Sequence, residues 1–200
     1  MGVVVPLRRE EKRSDVPDAV LVSRVLSDDD ERAKEMIYRR HVRMVSGMAH
    51  RLLGGREVDD LVQDVFVIAF EKLDTLRDAQ SLQKWLGTIV VFQARKRIRR
   101  KQLRRRWFRT ESEPLDVERL VSAQAPPDVA TELRALYHIV ESLDTDVRIA
   151  LVLRRVEGLT INEISAHMNK SPATVKRRIR DGEERLRVAM QRGENHATRS

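Results

Sequence analysis

Between Val58 and Leu73 the apolar residues fall at Val58, Leu61, Val62, Val65, Phe66, Ala69, Phe70 and Leu73. Steps of three and four put all of them on one face of an α-helix, whereas in a strand they would scatter over both faces. This repeat therefore demands a helix with a buried stripe. The same period runs through Ala19 to Leu53, where Ile37, Met44, Val45, Met48, Ala49 and Leu52 form the stripe, and Gly54-Gly55-Arg56-Glu57 breaks it. Helical patterning resumes near Val129 and continues to Gln191. No alternating pattern of any length occurs, and there is no internal repeat, so the expected fold is all-α. Only 4% of residues are aromatic, so the cores must be built from Leu, Val, Ile, Met and Ala.

Two hundred residues allow one or two small domains. A segment rich in Ser, Glu, Pro and small residues, TESEPLDVERLVSAQAPPD, separates the helical stretches and reads as a linker. The expected organisation is a disordered segment over 1–17, a helical domain over 18–106, a flexible linker over 107–128, a second helical domain over 129–192 and a disordered tail over 193–200.

Charge points to a polyanion. The chain carries a formal net charge of +8, and from Arg95 to Arg109 ten of fifteen residues are Lys or Arg, with no acid among them. Such a run repels itself and binds polyanions. The second domain carries a more specific signal. Thr160 and Glu163 have the spacing of a capping box, Asn169 suits a left-handed turn, Ser171 is a good N-cap, and Pro172 suits the first position of the next helix. In that helix Val175, Ile179, Gly182 and Leu186 share an inner stripe, while Ala173, Lys176, Arg177 and Arg180 share an outer one. A short helix, a tight turn and a second helix with a basic outer face make the helix-turn-helix pattern.

Other classes find little support. Cysteine is absent, so disulfides, cysteine-bound zinc and thiol chemistry are excluded. His41, His50, His138, His167 and His196 lack zinc spacing. Asp28, Asp29 and Asp30 read as an acidic helix start. Asp59, Asp60 and Asp64 lack the surrounding constellation of a nuclease. No phosphate-binding loop, dinucleotide fingerprint or nucleophile elbow occurs. The expectation is therefore a non-catalytic binding protein with no metal and no cofactor. The N-terminal apolar run of three valines is too short for a signal peptide or a membrane span, so a cytoplasmic chain without membrane insertion is expected.

The order of parts carries a resemblance. The acidic-apolar helix DDLVQDVFVIAFEKLDTL, a Trp-containing basic helix, a linker, and then SLDTDVRIALVLRRVEGLTINEISAHMNKSPATVKRRIRDGEERLR together resemble a bacterial RNA polymerase sigma factor of the extracytoplasmic-function (ECF) group. The resemblance covers roughly residues 19–106 and 129–190. It implies a sigma-2-like bundle and a sigma-4-like helix-turn-helix domain. It also implies binding of core RNA polymerase, at the β′ clamp helices and β flap, and of promoter DNA, with an anti-sigma factor as a separate regulator. Asp60, Leu61, Gln63, Asp64 and Phe66 match the motif that docks on core polymerase. The segment that opens and holds the −10 element corresponds to Leu76 to Arg100, with Lys84, Trp85, Phe92, Arg95, Lys96, Arg99 and Arg100 as candidate contacts. The helix-turn-helix matches the −35 reader. There Ser171, Thr174 and Arg178 would position on phosphates, Lys176 and Arg177 would reach base edges, Arg180 would do either, and Ala173 would sit at the tip. The linker would pass near the polymerase active-site channel.

The sequence departs from the family pattern at several positions. Asp144 replaces a common proline, Ala173 a common glycine and Arg177 a common serine. Phe92 and Lys96 stand where many relatives carry Asn and Asp, so the usual −10 preferences do not transfer. Phe92 either stacks on a base or completes the core, and the core reading is preferred, as it is for Trp85. The alternative to a sigma factor is a helix-turn-helix regulator that binds an operator independently of polymerase. That reading leaves the helix at 58–73 and the basic run without a role. A nucleic-acid-processing enzyme is the third reading, and the missing catalytic constellations oppose it.

Overall fold

The computed structural model describes residues 16–54, 57–108, 136 and 138–197, and among them there are helices and no strands. Helix α1 (Asp18–Asp28) leads into α2 (Glu31–Leu53) and α3 (Val58–Glu71). Two short 3-10 turns, Leu73–Thr75 and Ala79–Ser81, carry the chain into the long α4 (Leu82–Phe108). After a helical turn at 138–142 come α5 (Thr145–Arg155), α6 (Ile161–Met168) and α7 (Pro172–Ala197).

The stretch from Ala19 to Leu53 is two helices. Asp29 adopts a left-handed conformation (φ 50°) that ends α1, and the Asp30 carboxylate accepts from the amides of Arg32 and Ala33 to start α2. Those amides and Arg24, at 2.6 Å, hold the Asp30 carboxyl below its usual pKa. The three aspartates thus stop one helix and cap the next. Asp18 ties the two together, accepting from Arg40 and lying 3.0 Å from His41 Nε2.

In the second half the local signals act as their chemistry dictates. Thr160 and Glu163 form a complete capping box, and Asn169 turns the chain at φ 50°. The amide of Thr174 donates to Ser171 Oγ at the start of α7. Gly182 lies where α7 crosses α5, and a Cβ there would stand 3.2 Å from Val147 and 3.3 Å from Leu151. Glycine allows this close approach. Helix α7 continues to Ala197, past Gly193, where a tail was expected. One glycine weakens a helix by about 1 kcal/mol without ending it, and Arg187, paired with Glu184 and Gln191, braces the turns before it. Similarly, α4 runs into the segment read as linker. Residues 1–15, 109–135 and 198–200, which hold the rest of the expected terminal and linker segments, lie outside the described residues.

Helix α4 is shared by both halves. It packs against α2 and α3 on one side and against α5 and α6 on the other. One apolar cluster runs from Leu21, Ile37 and Leu61 through Leu86 and Val90 to Ile149, Leu153, Ile164 and Val175. Helix α5 accordingly has little exposed surface: Thr145, Val147, Arg148, Ile149, Ala150, Leu151, Val152 and Leu153 are all buried. A smaller cluster of Leu143, Val147 and Leu151 seats against Leu186 of α7.

The capping box gives the first test. Thr160→Ala removes the hydroxyl that accepts from Glu163 N, and thermal unfolding should show a loss of about 1 kcal/mol.

Candidate nucleic-acid interface

Helix α7 is fixed by its inner face. Val175 and Ile179 are buried against α6, where Ile164 and Met168 are buried in turn. The outer stripe of Ala173, Lys176, Arg177 and Arg180 is exposed, as its i, i+3, i+4, i+7 spacing requires. Ser171 is exposed, whereas Thr174 and Arg178 are only half exposed. The hydroxyls of Ser171 and Thr174 lie 2.9 Å apart at the helix start, beside amides that favour a phosphate oxygen. Ala173, Lys176, Arg177 and Arg180 thus share one face near the start of the helix, with Thr174 and Arg178 on its flank.

Helix α4 carries the second basic surface, and it is divided. Leu86, Val90 and Ala94 are buried. Phe92 lies roughly opposite Val90 and Ala94 on the helix and is 62% exposed. The core reading for Phe92 is therefore corrected: its ring faces outward on the same side as the exposed Lys96, Arg99 and Arg100. Trp85 is half-buried and packs against the core, in accord with the sequence reading, and Lys84 is exposed. Arg95 is drawn under the second half of the chain. Its Nε stands 3.1 Å from Asp146 of α5, and its Nη2 donates to the Met168 carbonyl at 3.2 Å.

The face expected to meet polymerase also needs correction. Leu61 and Phe66 are buried, at 0% and 4% exposure, and support the domain from within. The outer face of α3 consists of Asp60, Gln63, Asp64 and Val67, again at i, i+3, i+4 and i+7. All four are exposed. Val67 is the apolar member, and Asp64 pairs with Arg97 of α4 at 2.6 Å. Tyr38 and Val42 on α2, one turn apart, line an open groove with Phe66, Val67 and Phe70. The Tyr38 ring meets Phe66 edge-on, with centroids 4.7 Å apart. The sequence reading missed the α2 side of this groove. Its signal was the pair Tyr38 and Val42, apolar residues lying off the buried stripe.

No cluster of His, Cys, Asp or Glu able to hold a metal occurs among the described residues, and no helix there is long and apolar enough to cross a membrane. Two of the described histidines, His41 and His167, are buried. Burial lowers the pKa of His167, and the Lys84 charge lowers it further, against the opposing Glu163. Burial likewise lowers His41, against Asp18.

Comparison with known proteins places both surfaces in context. Residues 37–104 match the model for sigma-70 region 2, and residues 133–186 match that for sigma-70 region 4. The ECF RNA polymerase sigma-E factor of Escherichia coli K12 is 30% identical over 171 residues, spanning 81% of this chain and 88% of that protein. The sigma-E factor of Haemophilus influenzae is 27% identical over 169 residues, spanning 81% and 89%. Among solved structures, CnrH in complex with the cytosolic domain of CnrY aligns with a TM-score of 0.59 at 24% identity, covering 87% of this chain and 97% of that one. The sigma factor RpoE in complex with the anti-sigma factor NepR from Bartonella quintana aligns with a TM-score of 0.56 at 23% identity, covering 78% and 96%.

Burial sorts the nominated residues by experiment. Leu61→Ala should cost about 2–5 kcal/mol in urea unfolding, whereas Phe92→Ala and Val67→Ser should stay within about 0.5 kcal/mol of wild type. The histidines set a pH dependence. Because burial depresses their pKa values, the unfolded chain takes up protons first as pH falls. Their contribution is intact above the ordinary value of 6.5 and declines below it. Unfolding midpoints measured from about pH 7 to about pH 5 should fall, and His167→Gln should make that fall shallower.

Proposed function

This chain belongs to the ECF group of RNA polymerase sigma factors, and on that premise we propose how its surfaces divide the work of promoter recognition and opening. A sigma factor binds core RNA polymerase, recognises −35 and −10 promoter elements and promotes melting, and the chain is assigned that role over an independent operator-binding regulator. Its family is one of initiation factors. In the finer reading the chain has no catalytic activity of its own and acts in the cytoplasm.

The observation that carries the assignment is that the outward basic stripe of α7, on a helix-turn-helix whose inner face is locked in a core, stands in one chain with the exposed acidic-apolar face of α3 and the exposed cations of α4. Lys176 and Arg177 read base edges of the −35 element from the major groove, since a bidentate arginine discriminates guanine by two hydrogen bonds. Ser171, Thr174 and Arg178 position on phosphates, which fix register without specifying sequence. Arg180 serves either purpose, and Ala173 keeps the tip small enough for close approach.

The −10 element falls to α4. Capture of a separated strand needs a basic groove and an aromatic platform. Lys84, Arg95, Lys96, Arg99 and Arg100 supply the cations. Phe92 supplies the platform, because it is the exposed ring on that side, while Trp85 acts from the core. Polymerase docks on the outer face of α3 through Asp60, Gln63, Asp64 and Val67, with its β′ clamp helices as the partner surface. Leu61 and Phe66 hold that face in shape. The second domain, taken as 129–192, meets the β flap, and the first, taken as 18–106, carries the clamp and −10 contacts. The solved relative RpoE is held by an anti-sigma factor, and an anti-sigma factor is proposed here too.

Run-off transcription with core polymerase on fragmented genomic DNA, with 5′ ends mapped, tests the reading. Discrete starts sharing upstream motifs at fixed spacing are expected, with a strong loss of binding as salt rises. Lys176→Ala and Arg177→Ala should each lower promoter discrimination by roughly tenfold or more while core binding persists. Val67→Glu should weaken co-elution with core polymerase and leave DNA contacts intact. If both sets of variants fail in the same assay, the division of labour is wrong.

A further inference from the structure

The outer face of α3 has one inward anchor. Among the described residues no hydrogen bond or ion pair holds the side chains of Asp60 and Gln63. Asp64 differs: its Oδ2 accepts from Arg97 Nη2 of α4 at 2.6 Å. The two partners are unequal in exposure. Asp64 keeps 54% of its side chain exposed, whereas Arg97 keeps only 11%. The carboxylate is thus at the surface and the cation that holds it lies behind.

Arg97 is itself held on its other sides. Its Nη1 donates to Gln93 Oε1, one turn earlier on α4, at 3.5 Å, and Gln93 is buried. Its Nε lies 3.8 Å from a carboxylate oxygen of Glu57, at the start of α3. The same carboxylate stands 3.7 Å from Arg100 and 4.0 Å from Arg104. A guanidinium is planar and offers its donors in a fixed fork. With Asp64, Gln93 and Glu57 around it, the fork of Arg97 cannot turn without disturbing all three contacts.

An ion pair with one exposed partner adds little to stability, because water screens it and both side chains lose freedom. What this pair does is select the orientation of Asp64. One carboxylate oxygen is turned toward α4 and the other is left to accept from outside. The cost of ordering that side chain then falls on folding rather than on docking. The geometry points to Arg97 as a positioning residue for polymerase docking. It stands behind the docking face, presents Asp64 in one orientation to a donor on polymerase, and makes no contact with polymerase itself. This rests on the assignment of the outer face of α3 to polymerase. It also sets Arg97 apart from Lys96, Arg99 and Arg100, which are exposed on α4.

The test has each full-length variant compete with dye-labelled wild-type chain for purified core RNA polymerase, with urea unfolding measured alongside. Arg97→Met should weaken core binding by about tenfold, close to the loss from Asp64→Asn. The double variant should lose no more than the weaker of the two single ones, because both act through one contact. Arg104→Met removes an equal charge from α4 without touching Asp64, and its core binding should match wild type. Unfolding midpoints should stay near that of wild type throughout. Arg97→Lys keeps the charge without the fork; its affinity should fall between wild type and Arg97→Met, and it serves if Arg97→Met does not fold. Core affinity of Arg97→Met equal to that of Arg104→Met, with Asp64→Asn weakened, overturns the positioning role. Losses that add in the double variant overturn it too, since Arg97 then acts on its own. If Asp64→Asn binds core as wild type does, the assignment of α3 to polymerase has failed instead.

Discussion

The burial of α5 between two sets of helices organises this molecule. One side of the helix, through Val147 and Leu151, meets α7. The other, through Ile149, Val152 and Leu153, joins the cluster that holds the core of the first half. Arg148 lies within that second contact and donates to the last turn of α2, where carbonyls lack helical partners. A buried arginine is tolerable only with such an acceptor. The arrangement of the two basic surfaces therefore follows from how α5 is seated, since it touches the scaffolds of both.

The helix-turn-helix is set by short-range devices. The capping box, the left-handed Asn169 and the Ser171 cap set the angle between α6 and α7. Gly182 then lets α7 close on α5. Each device satisfies backbone groups or removes a clash, so the basic stripe is presented on a backbone with little freedom. The basic surface of α4 has a different character. Its cations sit on one long helix and find local acids from both sides: Asp64 and Glu57 from the first half, Asp146 and Glu141 from the second. The positive charge of this helix is thus partly compensated by carboxylates from both halves.

Much of this was legible in the residues. The period of three and four named the helices, the turn chemistry named the helix-turn-helix, and the spacing of Ala173, Lys176, Arg177 and Arg180 named the outer stripe of α7. The acidic triplet at 28–30 was less clear, because a helix start and a helix stop use the same residues. Phe92 reads as a core residue from its type but faces outward. Leu61 and Phe66 match a partner-binding motif but are buried by their own stripe. In both cases the helix was right and the face was misjudged, one through weighting an aromatic toward burial and the other through following a resemblance across a buried stripe.

The sequence by itself determined the helices, their caps and the basic character of two surfaces, because these depend on residues within a few positions of one another. Only the tertiary structure decided which cations face solvent and which face Asp146, and that α5 is buried on both sides. Those outcomes depend on contacts between residues far apart in the chain, such as Arg95 with Asp146 and Leu52 with Arg148. No local period encodes such pairings, since a helix with two apolar sides reads the same whether it is buried by its own domain or between two.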